Sequence, residues 1–279
     1  MSYKSIVVHL DTSERAHPRL ELALRVAKQF HAHLTGVFAL FTPEPRSFCL
    51  IAGTAEYNRD QENLRAERRA VLEQLFHAEL GRAQVAGDWI ATDEYANIAV
   101  PRRARCADLI IAGQDDPNDP ESYIGDHFPQ NLVMSMGRPV LMVPYVGAYP
   151  SLGSHVMAAW DGSREATRAV HDALPFMRLA KKTTVVTVNG EKSEAPGGRV
   201  PGSDIATVIA RHGANVEVAD IEVAIGASIG DALLSQLTNI GADMLVMGAY
   251  GHARWQELVM GGATRAILKS MTVPVLMSH

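Results

Sequence analysis

Glycines at positions 248, 251, 261 and 262 fall within DMLVMGAYGHARWQELVMGGATRAILKSMTVPVLMSH, residues 243–279. Backbone amides reach an oxyanion closely only where no Cβ stands in the way. The first turn of a helix adds unpaired N–H groups and a partial positive charge of roughly half a unit. If Gly248 ends a strand and Gly261–Gly262 open a helix, then Gly248, Gly251, Gly261 and Gly262 would line an anion cradle. Thr264 would offer a hydroxyl from the first turn, and His252 or Arg254 could add a hydrogen bond to a phosphate. Asp161, closing an earlier apolar run, would stand across the crevice and accept from an adenine amino group or a ribose hydroxyl. Glycines between a strand and a helix also make ordinary tight turns. Local spacing leaves both readings open.

Other chemistries find less support. Ser13 and Ser163 follow strand-end aspartates, but neither sits in a G-x-S-x-G elbow, and no catalytic residue is assigned. Cys49 and Cys106 are too few and too far apart for a disulfide framework or a zinc site. The 11 histidines show no HExxH or paired spacing. The carboxylate-rich loop DDPNDPESYIGDH lacks the ligand ladder, central glycine and closing glutamate of an EF-hand, so no metal site is assigned. Trp255 is read as packing over its own domain or as a subunit contact.

The elements that must position these residues are written twice. KSIVVHLDTS (4–13) matches SHVMAAWDGS (154–163), with Asp11 and Asp161 separated by 161 − 11 = 150 positions. ADLIIAG (107–113) matches ADMLVMG (242–248), and GRPVLMVP (137–144) matches TVPVLMSH (272–279), both at an offset of 135. Such a length indicates a duplicated domain, since solenoid periods are ~20–50 residues. The expected domains are 1–146 and 154–279, joined by the Pro/Gly/Tyr connector at 144–153.

Each half alternates strand and helix. In the second, Ala166, Val170, Ala173 and Leu174 recur at helical spacing behind Ser163 as N-cap, and Gly241 closes a later helix. ADMLVMG is a continuous apolar run of the kind buried on both faces of a parallel sheet. Five strands with about four helices predict a doubly wound, Rossmann-like α/β domain in each half. In the first half, residues 62–80 form a charged amphipathic helix with a solvated face, and Pro101 makes the helix around it short or kinked.

Hydrophobic residues at 47% allow a full core, and the net charge of −5 argues against binding nucleic acid through bulk electrostatics. No apolar run reaches the ~18 residues of a membrane span, and the N-terminus shows no signal-peptide pattern. A cytoplasmic protein is expected.

The spacing Gly248-x2-Gly251-x9-Gly261, between a fourth strand and a last helix, resembles the nucleotide loop of universal stress proteins. The openings VVHLDTS and MAAWDGS and the closings RPVLMVP and VPVLMS are similar to that family too. The resemblance covers nearly the whole chain as a tandem pair and implies ATP or another adenine nucleotide in the second half, with Mg²⁺ as a companion left open. It carries over Gly248, Gly251 and Gly261, with adenine contacts at Asp161 and Val188. Where the nucleotide-binding branch has Ser or Thr after the last glycine, this chain has Gly262, and Thr264 is an imperfect substitute. In the first half, Gly251 maps to Asp116, Gly261 to Asp126 and Gly262 to His127. Carboxylates there would repel a polyphosphate, so the first half is expected to hold no ATP. The resemblance also implies pairing through the closing strands, residues 139–143 and 274–278, as a homodimer or an intramolecular pseudo-dimer. The function expected is a nucleotide-responsive stress protein. A ligand-free interaction module is the alternative, and a slow ATP hydrolase ranks third.

Overall fold

A computed structural model describes residues 2–39, 55–118, 127–189, 200–224, 226–251 and 262–279. The chain folds as two compact units, residues 2–135 and 136–279. This division falls ahead of the connector at 144–153, because residues 140–143 hydrogen-bond to a strand of the second unit.

In the first unit, β1 (Ser5–Leu10), β2 (His33–Phe38), β3 (Gly87–Ala91) and β4 (Leu109–Gly113) form parallel ladders in the order β3-β2-β1-β4. Ile6, Val8 and Leu10 of β1 and Leu109–Ala112 of β4 have no exposed surface, which requires cover on both faces of the sheet. The helices are α1 (Ala16–Phe30), α2 (Ala55–Ala83), α3 (Ala96–Ala104) and α4 (Phe128–Ser135). α1 buries Leu20, Ala23 and Ala27 at helical spacing. Helix α3, with Pro101 inside it, runs nine residues. Phe76 of α2 is fully buried, with its ring centroid 5.3 Å from that of Trp89 on β3. A Cβ on Gly36 would meet both rings, at 2.8 and 3.0 Å.

In the second unit the order is β5-β10-β9-β6-β7-β8, with β5 (Val140–Val143), β6 (His155–Ala159), β7 (Lys182–Val188), β8 (Val216–Ile221), β9 (Met244–Gly248) and β10 (Val275–Ser278). β6 to β10 pair in parallel, and β5 joins β10 antiparallel. From β6 the chain moves outward through β7 and β8, then returns to β9 on the other flank of β6. That reversal opens a crevice beyond the carboxyl ends of β6 and β9. The helices are α5 (Arg164–Leu179), α6 (Ser203–Arg211), α7 (Ile229–Ile240) and α8 (Gly262–Ser270). Ser163 caps α5 by accepting from the Ala166 amide at 3.1 Å, and Gly241 closes α7 at φ +64°.

Candidate functional site

At the carboxyl end of β6 the chain turns through Asp161 and Gly162 into α5. Asp161 is exposed, and its Oδ1 accepts from the Ser163 amide at 2.9 Å. Gly248, at the end of β9, lies beneath the first turn of α5. A Cβ there would run into the Ala166 amide nitrogen and stand 2.6 Å from the Glu165 carbonyl carbon. This glycine therefore answers to helix-on-strand packing. Gly251 faces the same turn: a Cβ on it would lie 2.7 Å from Glu165 Oε2 and 3.2 Å from Ser163 Oγ.

Thr264, buried in the first turn of α8, accepts from the Tyr250 amide at 3.3 Å. Tyr250 holds a left-handed backbone with φ +59°, so the threonine anchors a strained part of the loop. Gly262 opens α8, and a Cβ on it would meet no atom of the described residues within 4 Å. On β7, Val186 pairs with Ala159 and its carbonyl accepts from Trp160, which puts Val188 one strand across from Asp161. The structure thus gathers Asp161, Ser163, Gly248 and Gly251 at one strand end. Thr264 is tied to the group through Tyr250, and Val188 stands beside it. Gly261, His252, Arg254 and Trp255 lie outside the described residues.

Glu165 belongs to this group and was not singled out from the sequence. Its side chain is 5% exposed, and its Oε1 accepts from Arg164 Nε at 2.9 Å, with Arg164 Nη2 at 2.7 Å. An acidic residue in the first turn of a helix is ordinary, and only the contact with Gly251, 86 positions away (251 − 165), marks it.

The matching end of the first unit is filled differently. Arg19 and Asp11 are 4% and 5% exposed. Arg19 Nη1 donates to Asp11 Oδ2 at 3.0 Å and to the His9 carbonyl at 2.9 Å. Its guanidinium lies on Gly113, where a Cβ would come within 2.6–2.9 Å of three of its atoms. Asp11 also accepts from the Ser13 amide at 3.0 Å and from the Ser13 hydroxyl. Burial pushes the Asp11 carboxyl up, but Arg19, His9 and the Ser13 hydrogen bond reverse this and hold it at about 2. Burial lowers His9 to about 4, with its Nε2 2.9 Å from the Ala39 carbonyl oxygen. The offset of 150 places Ala169 where the first half has Arg19, and that exchange was the available signal. Asp116 is buried and accepts from the Asn118 amide at 2.9 Å, while Asp126 lies outside the described residues.

Among the described residues, no three His, Cys, Asp or Glu side chains are grouped to hold a metal ion. No helix among them is long and apolar enough to cross a membrane.

A parallel α/β unit with a glycine-lined crevice at its strand switch is the class defined here. A family model described as the universal stress protein family matches residues 154–279. Over 171 residues the chain is 24% identical to universal stress protein Slr1230 of Synechocystis sp. (strain ATCC 27184 / PCC 6803 / Kazusa). That match covers 61% of this chain and 57% of the relative, so it spans little over half of the relative's length. The fold is similar to that of a universal stress protein from Archaeoglobus fulgidus DSM 4304, with a TM-score of 0.72 at 16% identity over 98% of this chain and 97% of that one. A functionally unknown protein from Pseudomonas aeruginosa PAO1 gives a TM-score of 0.61 at 17% identity, over 99% and 92% of the respective chains. Residues 154–279 carry the match to the universal stress protein family, and the chain is similar to universal stress proteins.

Proposed function

We propose that this chain is a nucleotide-responsive stress protein whose second unit takes ATP or a related adenine nucleotide in the crevice between β6 and β9. The observation that carries this reading is the meeting of Asp161, Ser163 and Gly251 at the strand switch. A ribose or adenine donor would be received by Asp161, and phosphates by backbone amides of the glycine loop and the start of α8. Mg²⁺, where it accompanies the nucleotide, would be carried in by the phosphates.

The first unit is proposed to hold no nucleotide in this manner. Sequence reasoning placed the obstacle in the loop carboxylates. The Asp11–Arg19 pair supplies a nearer one, because the guanidinium already covers Gly113. A second reading, the ligand-free interaction module, draws on the second unit itself. Gly248 is closed over by α5, and a carboxylate stands against Gly251.

Titration calorimetry of the full chain with ATP tests the proposal, using wild type and Gly251→Asp, which copies Asp116 of the first half. Binding by wild type and its loss in the variant, with unfolding midpoints compared as a control, supports the nucleotide site. Equal affinity in both proteins refutes it, and no heat from either favours the interaction module.

A further inference from the structure

One side chain of the second unit ties two strand ends together. Arg168, on α5, donates through Nη1 to the His279 carbonyl at 2.8 Å and through Nη2 to the Gly137 carbonyl. Gly137 lies just ahead of β5, and His279 directly follows β10. Asp172, one turn further along α5, is 3.8 Å from Arg168 Nε and accepts from the Ser278 hydroxyl at 2.8 Å. The same helix face is thus fastened to the last residue of β10. His279 carries the tie onward: its Nδ1 is 2.9 Å from the Ala249 carbonyl oxygen, to which the Nδ1–H tautomer donates. The Ala249 amide donates to the Ser278 carbonyl at 2.9 Å, and Tyr250 follows in its left-handed conformation. A continuous set of contacts runs from the entry of β5, through Arg168 and His279, to the turn after β9.

We propose that Arg168 is a coupling residue, which makes the docking of β5 on β10 and the closure of the Ala249–Tyr250 turn one event. β5 is the element with two states. It is four residues long, and its register with β10 covers Val140, Leu141 and Met142. So short a strand can open locally while the rest of its unit stays folded. Arg168 grips the chain where β5 begins, and a single planar guanidinium serves both carbonyls. Release of Gly137 therefore frees the fork to turn away from His279 as well. With 43% of the Arg168 side chain exposed, water takes over its donors and the latch opens without breaking the core. β5 is also the first strand after the join of the two units at residues 135–136, so the coupling carries a disturbance at that join to the strand-switch end of the second unit. It is independent of what that end binds.

Amide hydrogen exchange of the full chain, read residue by residue by NMR, tests this. The reporters are the amides of β5 and of Ala249 and Tyr250, with Leu245–Met247 of β9 as the internal reference. Arg168→Ala should speed exchange at both reporters by at least about fivefold, the weight of one net hydrogen bond, and leave the reference unchanged. Val140→Ala, which weakens β5 from a distance, should speed exchange at Ala249 and Tyr250 in the wild-type background and add nothing there once Arg168 is gone. His279→Ala cuts the route at its far end: it should free the turn, leave β5 protected and abolish the response to Val140→Ala. Should Arg168→Ala fail to fold, Arg168→Lys is read by the same criteria, since it keeps the charge but cannot serve both carbonyls. A turn that stays protected when Arg168 is replaced overturns the proposal. So does a response to Val140→Ala that survives the loss of Arg168 or of the His279 ring, because a residue that only stabilises the unit would leave that response intact.

Discussion

Replacing Arg19 by alanine makes the first unit resemble the second at this position, where Ala169 stands. The substitution would leave the Asp11 carboxylate 5% exposed, with the Ser13 hydrogen bonds but without its cation. The carboxyl's shift from 3.8 to about 2 ties roughly 2 kcal/mol of stability to its ionised form at neutral pH. That contribution is complete above about pH 4 and is lost as pH falls through about 2. Removing one partner of a buried pair costs about 3–5 kcal/mol, because the other charge is stranded. Arg19→Ala also empties the space over Gly113 and leaves the His9 carbonyl without this donor. A loss of about 4 kcal/mol is therefore expected, a large share of the ~5–15 kcal/mol that holds a domain together. Hydrogen exchange read by mass spectrometry on peptides from β1 and β4 would localise the loss to the first unit, and denaturant unfolding would size it. Asp11→Asn combined with Arg19→Ala should recover half or more of the loss. A cost below about 1 kcal/mol for Arg19→Ala, or a double variant no better than the single one, would refute the account of the pair.

His9 predicts an acid limit in the same unit. Burial lowers it from 6.5 to about 4, so the unfolded chain takes up a proton first as pH falls. Its contribution is complete above pH 6.5 and is lost toward pH 4, by roughly 3 kcal/mol. Denaturant midpoints measured between pH 7 and 4.5 should fall with this slope, and His9→Gln should flatten it. A wild-type profile without slope would contradict the burial argument. The two glycines of the second unit should part company. Gly248→Ala drives a methyl into the backbone of α5 and should cost about 1–3 kcal/mol or more in denaturant unfolding. Gly262→Ser meets no atom of the described residues within 4 Å of its Cβ and should leave stability within about 0.5 kcal/mol.

Much of the fold was legible because its signals are local. Ser163 and Gly241 cap helices through neighbours three or four residues away. Pro101 lies in a helix of nine residues, short as its missing amide led one to expect. The unbroken apolar runs at 109–112 and 244–247 read as strands of the kind covered on both faces, and they are buried. The residues of the candidate site could be named from the sequence, but not the packing around them. Gly248 looked like a residue kept bare for a ligand, yet its nearest neighbours are the backbone atoms of Glu165 and Ala166. Glu165 and Arg19 carry charges into buried positions at the strand ends of their units. Their partners at Gly251 and Gly113 are brought to them only by tertiary packing, which spacing along the chain does not encode. The repeat did hold a usable clue: laying residues 11–19 on 161–169 sets arginine against alanine at one buried position.

The antiparallel pairing of β5 with β10 has a consequence for assembly. Leu141 faces Leu276, its own counterpart at the offset of 135, with Val140 opposite Met277 and Met142 opposite Val275. The contact is self-complementary, as in an isologous interface, but it is made within one chain. β10 is then occupied along both sides, by β5 and by β9. An incoming chain could not add a strand to β10 without first peeling one of these away. Among the described residues the outer side of β8 pairs with no further strand, while its Glu217 and Asp220 turn to β7 and accept from the Thr184 and Thr187 hydroxyls at 3.0 and 2.6 Å.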